Sequence, residues 1–156
     1  MDNTVNDNNV VNSKSQIVIF QLADEEYAVD ISTSKQIIKL SKVTPVPNTP
    51  QFVRGVINLR GQIVPVVDLR KRFNITGSNE KERIITVEVR DTLIGLVVDN
   101  INEVIWYEEN EIEPAPNIEG EINQEFLKGL IKRGNRILVL IDLDKMLFEK
   151  INKIEE

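Results

Sequence analysis

The sequence predicts an all-β protein of two small β-barrels side by side, with short helices only as connectors. Three observations predict it. Runs of strand length, rich in Val, Ile and Leu, recur along the chain and end in tight turns. The pattern also repeats. Phe52-Val53-Arg54-Gly55 opens one copy, and Phe126-Leu127-Lys128-Gly129 opens a second. Arg60-Gly61 answers to Arg133-Gly134, and Ile63-Val64-Pro65-Val66-Val67-Asp68-Leu69 answers to Ile137-Leu138-Val139-Leu140-Ile141-Asp142-Leu143. Both copies span the same length from Phe to Leu, so the one-residue slip at Arg-Gly closes within the hairpin. This points to an internal duplication. Finally, short strands at this spacing suit small barrels, which close their edges and fill with branched aliphatic side chains.

Composition narrows the function classes. The chain has 156 residues, with 41% apolar and 28% charged, an ordinary soluble globular balance. No apolar run reaches the length of a membrane helix, and the N-terminus lacks the charged and apolar regions of a secretory signal. Without Cys there is no disulfide framework or thiol chemistry, which fits a cytoplasmic protein. Without His there is no imidazole base and no His-ligated metal. No cofactor and no metal are expected. A net charge of −6 and few aromatic rings argue against a nucleic-acid surface.

In chain order, residues 1–15 are Asn-rich and aperiodic and read as a disordered tail. Residues 16–22 and 27–31 form a hairpin around Asp24-Glu25-Glu26, a solvated acidic turn rather than a metal or acid–base site. Residues 32–40 read as a short helix with Ser32 or Thr33 as its cap. Pro45, Pro47 and Pro50 impose an extended connection. Residues 55–69 are the central hairpin, turning at Arg60-Gly61-Gln62. Pro65 leaves one side of its second strand unpaired or bulged. Asp68 caps a short helix over 69–73.

Residues 76–82 are a polar link. Residues 83–89 and 93–98 form a hairpin that repeats the first, since Ala28-Val29-Asp30 matches Val97-Val98-Asp99. Residues 100–107 continue with Ile101, Val104 and Ile105, and residues 108–113 are an acidic loop. The extended Pro114-Ala115-Pro116 matches the first Pro-rich link. After the second central hairpin, a C-terminal helix over about 142–154 carries Leu143, Met146, Leu147 and Ile151 on one face. Residues 16–150 are expected to form one domain of two intertwined subdomains, with 151–156 as the end of that helix.

The residues also carry a resemblance. Val53-Arg54-Gly55-Val56-Ile57-Asn58-Leu59-Arg60-Gly61, followed by Val64-Pro65-Val66-Val67-Asp68-Leu69-Arg70, closely resembles the signature of the CheW family of bacterial chemotaxis. The likeness extends through Glu26-Tyr27, Asp30-Ile31, Asn48-Thr49-Pro50, Gly95, Val97-Val98-Asp99 and Pro114-Ala115-Pro116. The resemblance implies a pair of five-stranded SH3-like barrels and no enzymatic activity. It implies two partners: the cytoplasmic tip of chemoreceptors and the regulatory domain of the histidine kinase CheA. It further implies a chain that is monomeric alone, cytoplasmic, and held at membrane-associated arrays only through those partners. The family's receiver-bearing and kinase-bearing members need more chain than this, so a stand-alone adaptor is expected.

By the resemblance, the receptor contacts fall on Ser34, Ile37, Asn58, Arg60, Gly61, Gly95, Ile101 and Val104, around a groove between the barrels. The kinase contacts fall on Glu113 and Ile118. Backbone geometry alone is the competing reading for Gly55, Gly61 and Gly95. An internal salt bridge is the competing reading for Arg60, whose planar donor fork also suits carboxylates or carbonyls on a partner. Where the family has an apolar residue and, two positions on, Glu, this chain has Ser34 and Gln36, with Lys35 between. That departure either caps a helix or retunes the docking face. Other classes remain as alternatives: an adaptor of a different chemosensory array, a small-barrel nucleic-acid binder, or an enzyme built on Asp68 and Asp142. N-caps at matching repeat positions explain that Asp pair more simply.

Overall fold

The computed structural model describes residues 14–30, 34–39, 42–76, 82–115 and 124–149, with residues 34–39 and 149 through their backbone only. Ten strands account for most of them: β1 (Lys14–Leu22), β2 (Glu25–Asp30), β3 (Ser34–Lys39), β4 (Val53–Leu59), β5 (Gln62–Asp68), β6 (Arg83–Val89), β7 (Thr92–Val98), β8 (Asn100–Glu108), β9 (Leu127–Arg133) and β10 (Arg136–Ile141). The helix α1 (Leu69–Arg72) follows β5, and a π-helical turn covers Lys145–Glu149. Short 3-10 turns cover Glu109–Glu111 and Gln124–Phe126.

The strands form two five-stranded sheets. The order is β8-β1-β2-β10-β9 in the first and β3-β6-β7-β5-β4 in the second. Advancing every strand of one sheet by five positions along the chain gives the order of the other. Each sheet therefore takes its central hairpin from one half of the chain and its other three strands from the other half. The links across the halves are short parallel ladders, Leu138–Leu140 against Glu26–Ala28 and Val66–Asp68 against Gly95–Val97. Pro65, which has no N–H to donate, pairs with Val56 on the β4 side and stands just outside the parallel ladder to β7.

Neither sheet is a closed barrel, which corrects the expectation of closed edges. A single bridge crosses each gap among the described residues. Thr44, beyond β3, exchanges two backbone hydrogen bonds of 2.8 and 2.9 Å with Val56 of β4. Glu113, beyond β8, does the same with Leu130 of β9, at 2.8 Å each way. Glycine permits both approaches. A Cβ on Gly55 (φ +144°) would lie 2.1 Å from the Thr44 carbonyl oxygen, and one on Gly129 (φ +155°) would lie 2.4 Å from that of Glu113.

The apolar pattern explains the layering. Along β1, Ile17 and Ile19 face a small core inside the first sheet, with Ala28, Tyr107, Ile131, Leu138 and Leu140. Val18, Phe20 and Leu22 alternate with them and face a large core shared with the second sheet. The second sheet has its own interior of Ile57, Val64, Val66, Ile84 and Val97, while Ile85, Val87, Ile94, Leu96 and Val98 face the shared core. Stacked rings of Phe20, Tyr27, Phe73 and Phe126 run through that core, with centroids 5.9–6.4 Å apart. The expected shared core is found, but beside it each sheet keeps a separate interior cluster; the described helices are of connector length.

Arg72 of α1 sits inside this core, 9% exposed. Its guanidinium lies 4.7 Å from the Phe52 ring centroid and 4.3 Å from that of Phe126. It donates to the Met146 carbonyl from Nε at 3.1 Å and from a terminal nitrogen at 2.8 Å. Burial pushes its pKa down from the ordinary value, opposed by the charge of Glu125.

Several local expectations need correction. Residues 34–39 form strand β3, not part of a helix, with Ile37 paired to Ile85 and Ile38 to Ile84. Two adjacent β-branched residues meet an otherwise open edge of β6, and the ladder outweighs the Ser-rich start. The acidic turn is shorter than expected: Ala23 and Asp24 turn, and Glu25 and Glu26 belong to β2. Lys14 and Ser15 are strand, not tail. Residues 108–113 are the end of β8, a 3-10 turn and the bridging Glu113, not a loop throughout. At the C-terminus Leu143, Met146 and Leu147 are buried as expected, but Lys145–Glu149 is a π-helical turn. Ile151 lies outside the described residues.

Two predictions follow from this packing. Arg72→Ala should lower the unfolding free energy by about 3 kcal/mol, since it empties core volume and orphans the Met146 carbonyl. Urea denaturation should show a lower midpoint with little change in slope; an unchanged midpoint would remove Arg72 from the core's support. Gly55→Ala should cost about 3 kcal/mol or more, and Gly61→Ala about 1, because only Gly55 also meets a backbone oxygen. Equal losses in paired melts would contradict the bridge's role.

Candidate functional site

The expected receptor residues fall on three elements. Asn58, Arg60 and Gly61 meet at the tip of the β4–β5 hairpin. Arg60 (φ +54°) and Gly61 (φ +85°) are both left-handed, a tight-turn geometry matched to strand twist. The Gly61 N–H donates to Asn58 Oδ1 at 2.8 Å, so Asn58 staples the turn that presents Arg60. Gly61 meets open space, and its role is conformational.

Ser34 and Ile37 lie on the edge strand β3 of the same sheet. A helix cap is no longer available as an account of Ser34, which begins a strand and pairs with Val87. Ile101 and Val104 lie on β8, an edge strand of the other sheet. Ile101 packs partly into the shared core, and Val104 is 42% exposed. Gly95 is buried in β7, where a Cβ would lie 2.9 Å from Ile84 Cγ2. Glu113 bridges to Leu130 through its backbone and approaches Lys132 Nζ at 3.4 Å through its carboxylate. Ile118 lies outside the described residues.

Arg60 stands apart from the other arginines. Arg54 binds Asp68 at 3.0 Å and Glu82 at 2.5–3.0 Å. Arg70 pairs through two nitrogens with the buried Asp99, whose carboxylate also accepts the Ala23 N–H at 2.7 Å. Arg83 donates to the Glu82 carbonyl, Arg90 holds Asp144, Arg133 holds Glu111, and Arg136 holds Glu26 and Glu103. Arg60 is exposed and makes no hydrogen bond or ion pair with a described residue. The internal salt bridge weighed for it is therefore not formed among them.

These pairs set the electrostatics. Hydrogen bonds from Arg136 hold the Glu26 carboxyl below its ordinary value, Arg133 does the same for Glu111, and Arg90 for Asp144. Burial, with the Asp30 carboxylate 3.1 Å away, pushes the Tyr107 hydroxyl well up. Asp68 and Asp142 accept N–H groups three residues on, from Lys71 at 3.3 Å and Lys145 at 3.1 Å. They occupy matching places at the ends of β5 and β10, and the capping role weighed for them is the one they play.

Comparison with known proteins identifies the family. A family model described as the CheW-like domain matches residues 16–150. The chain belongs to the CheW-like family. It is 38% identical to the chemotaxis protein CheW of Klebsiella aerogenes, over 85% of this chain and 81% of that one. It is 36% identical to CheW of Bacillus subtilis, over 88% of this chain and 89% of that one. A crystal structure of the scaffolding protein TtCheW from Thermoanaerobacter tengcongensis superposes with a TM-score of 0.78 at 41% identity, over 85% of this chain and 86% of that one. Membership places the chain among the chemotaxis coupling scaffolds. No helix among the described residues is long and apolar enough to cross a membrane.

Sequence reasoning passed over Trp106. It stands two residues beyond Val104 on β8 and is 59% exposed. The apolar stretch Val104-Ile105-Trp106-Tyr107 signalled a strand but not which face was open.

The carboxylate pairs give a pH prediction. A carboxyl whose folded pKa is depressed adds stability above its unfolded value, and that stability is lost as pH falls through the folded value. For Glu26 the loss should begin below its ordinary 4.5. Arg136→Gln should therefore flatten the acid limb of the stability–pH curve and leave its shape above pH about 6 unchanged. Parallel acid limbs for mutant and wild type in urea titrations would show that the pair contributes nothing.

Proposed function

We propose that the chain is a non-enzymatic scaffold coupling chemoreceptors to the histidine kinase CheA. It binds the receptor's cytoplasmic tip through the β4–β5 hairpin and the faces of β3 and β8, and the kinase's regulatory domain through the region around Glu113. The observation that carries this reading is Arg60. In an acidic protein whose other arginines all bond to carboxylates or backbone carbonyls, this one sits in a stapled, left-handed turn, exposed, with its donor fork free of described partners. Such a fork suits carboxylates or helix-end carbonyls on a partner.

The finer architecture belongs to the same reading: two SH3-like barrels descended from one duplicated unit. Its support is the shared strand order, the matched Gly55 and Gly129 bridges, and the matched Asp68 and Asp142 caps. The chain acts alone as a monomer in the cytoplasm and reaches membrane-associated arrays through its partners.

Arg60→Glu should keep the melting temperature and the affinity for the kinase regulatory domain while weakening binding to a receptor-tip fragment at least about tenfold. One charge-assisted contact is lost and a repulsion added. Calorimetry against both partners checks it; an unchanged receptor affinity would return Arg60 to a turn-forming role.

A further inference from the structure

The β1–β8 register places Trp106 opposite Gln16 and Val104 opposite Val18. Residues opposite one another share a face. Val18 lines the shared core, so Val104 and Trp106 stand on the face of the first sheet that looks toward the second. Along β8 this face runs from Ile101, packed partly into the core, to Val104 at 42% exposure and Trp106 at 59%. It is an apolar row that emerges from the core at the sheet's edge. Its outer end is held in place. Trp106 is bound into the β1 ladder, and its carbonyl accepts from Arg133 at 2.5 Å. Arg133 is in turn fixed by Glu111 at 3.0 Å. Beside the indole opens a cleft of about 550 Å³, lined also by Lys14, Tyr107, Glu108 and Glu111.

We propose that Trp106 is an anchor of the receptor contact, extending it outward from Ile101 and Val104. The occupant is the receptor-tip helix, with an apolar stripe against the row and one side chain entering the cleft. A large aromatic group on a pinned backbone loses little freedom on binding, the property of interface anchors. The inference rests on the receptor-binding reading above. The kinase is the competing occupant, because Glu111 at the cleft stands two residues from Glu113; the row's continuity with Ile101 and Val104 favours the receptor.

Trp106 is the only tryptophan in the chain, so its fluorescence reports on this position alone. The test titrates the intact chain with a tryptophan-free receptor-tip fragment and, separately, with a tryptophan-free kinase regulatory domain. The expected result is a blue shift of emission with the tip and none with the kinase domain. Trp106→Ala should weaken tip binding at least tenfold and Trp106→Phe less than threefold, with kinase affinity and melting temperature unchanged. Tip binding by the wild type that leaves both emission and the Trp106→Ala affinity unaltered overturns this inference alone. A blue shift and affinity loss with the kinase domain instead also overturn it. Failure of the wild type to bind the tip overturns the receptor-binding reading and this inference with it.

Discussion

The fold depends on one buried cation. Arg72 leaves α1, at the end of the second sheet's β5, and crosses to the π-helical turn that follows β10 of the first sheet. There it donates twice to the Met146 carbonyl and lies over the rings of Phe52 and Phe126. The four residues are two matched pairs. Phe52 and Phe126 open the two copies of the repeated motif, and Arg72 and Met146 stand four residues after Asp68 and Asp142. Each Phe carbonyl also accepts from the matching Asp N–H at 2.7 Å, so each ring is tied to the strand end beneath it. A desolvated guanidinium with no bound carboxylate is costly. The two rings and the twice-bonded carbonyl offset that cost only when both sheets are assembled around it. The contact thus rewards the pairing of sheets rather than the folding of either.

The same constraint appears in the strands. β1 alternates between two cores, and β6 sends Ile85, Val87 and Val89 into the shared core and Ile84 into the other. A sheet that buries one face in its own interior and the other against its neighbour has no independent solvated state. The chain weaves in the same sense, each sheet borrowing its central hairpin from the other half. The two units form one cooperative body, and what remains for partners is its rim: hairpin tips, edge strands and the segments that bridge the gaps. The receptor and kinase residues expected from the sequence lie there, apart from buried Gly95 and from Ile118, which is not described.

Much of this rim was legible because turns and caps are local. Arg60-Gly61, Asp68 and Asp142 announce their geometry within four residues, and the structure gives each that geometry. What was illegible is long-range. No local signal says that β2 will lie parallel to β10 or β5 to β7, since those ladders join residues from different halves of the chain. Residues 34–39 misled for a related reason. Ser32, Thr33 and Ser34 resemble a helix start, but the strand state of the following residues is decided by the edge of β6, about fifty positions away in the chain. Arg72 was hidden too, because a basic residue beside Arg70 and Lys71 reads as a solvated helix face.

The arginines show how structural and functional charge separate in such a protein. Arg54, Arg70, Arg90, Arg133 and Arg136 each end on carboxylates brought close by the fold, several joining segments far apart in sequence. Already engaged, and in Arg54 and Arg70 partly buried, these pairs are poor candidates for recognition, because a partner would first have to break them. Arg60 is exposed at a hairpin tip, and Asn58, not a charge, holds its turn. The arginine of the second hairpin, Arg133, stands one position earlier, at the end of β9, while Gly134 takes the left-handed turn place, and it is held by Glu111 and the Trp106 carbonyl. The one-residue slip therefore separates two uses of an arginine: an exposed cation in the first turn, and a paired strut beside Trp106 at the end of the second hairpin's first strand.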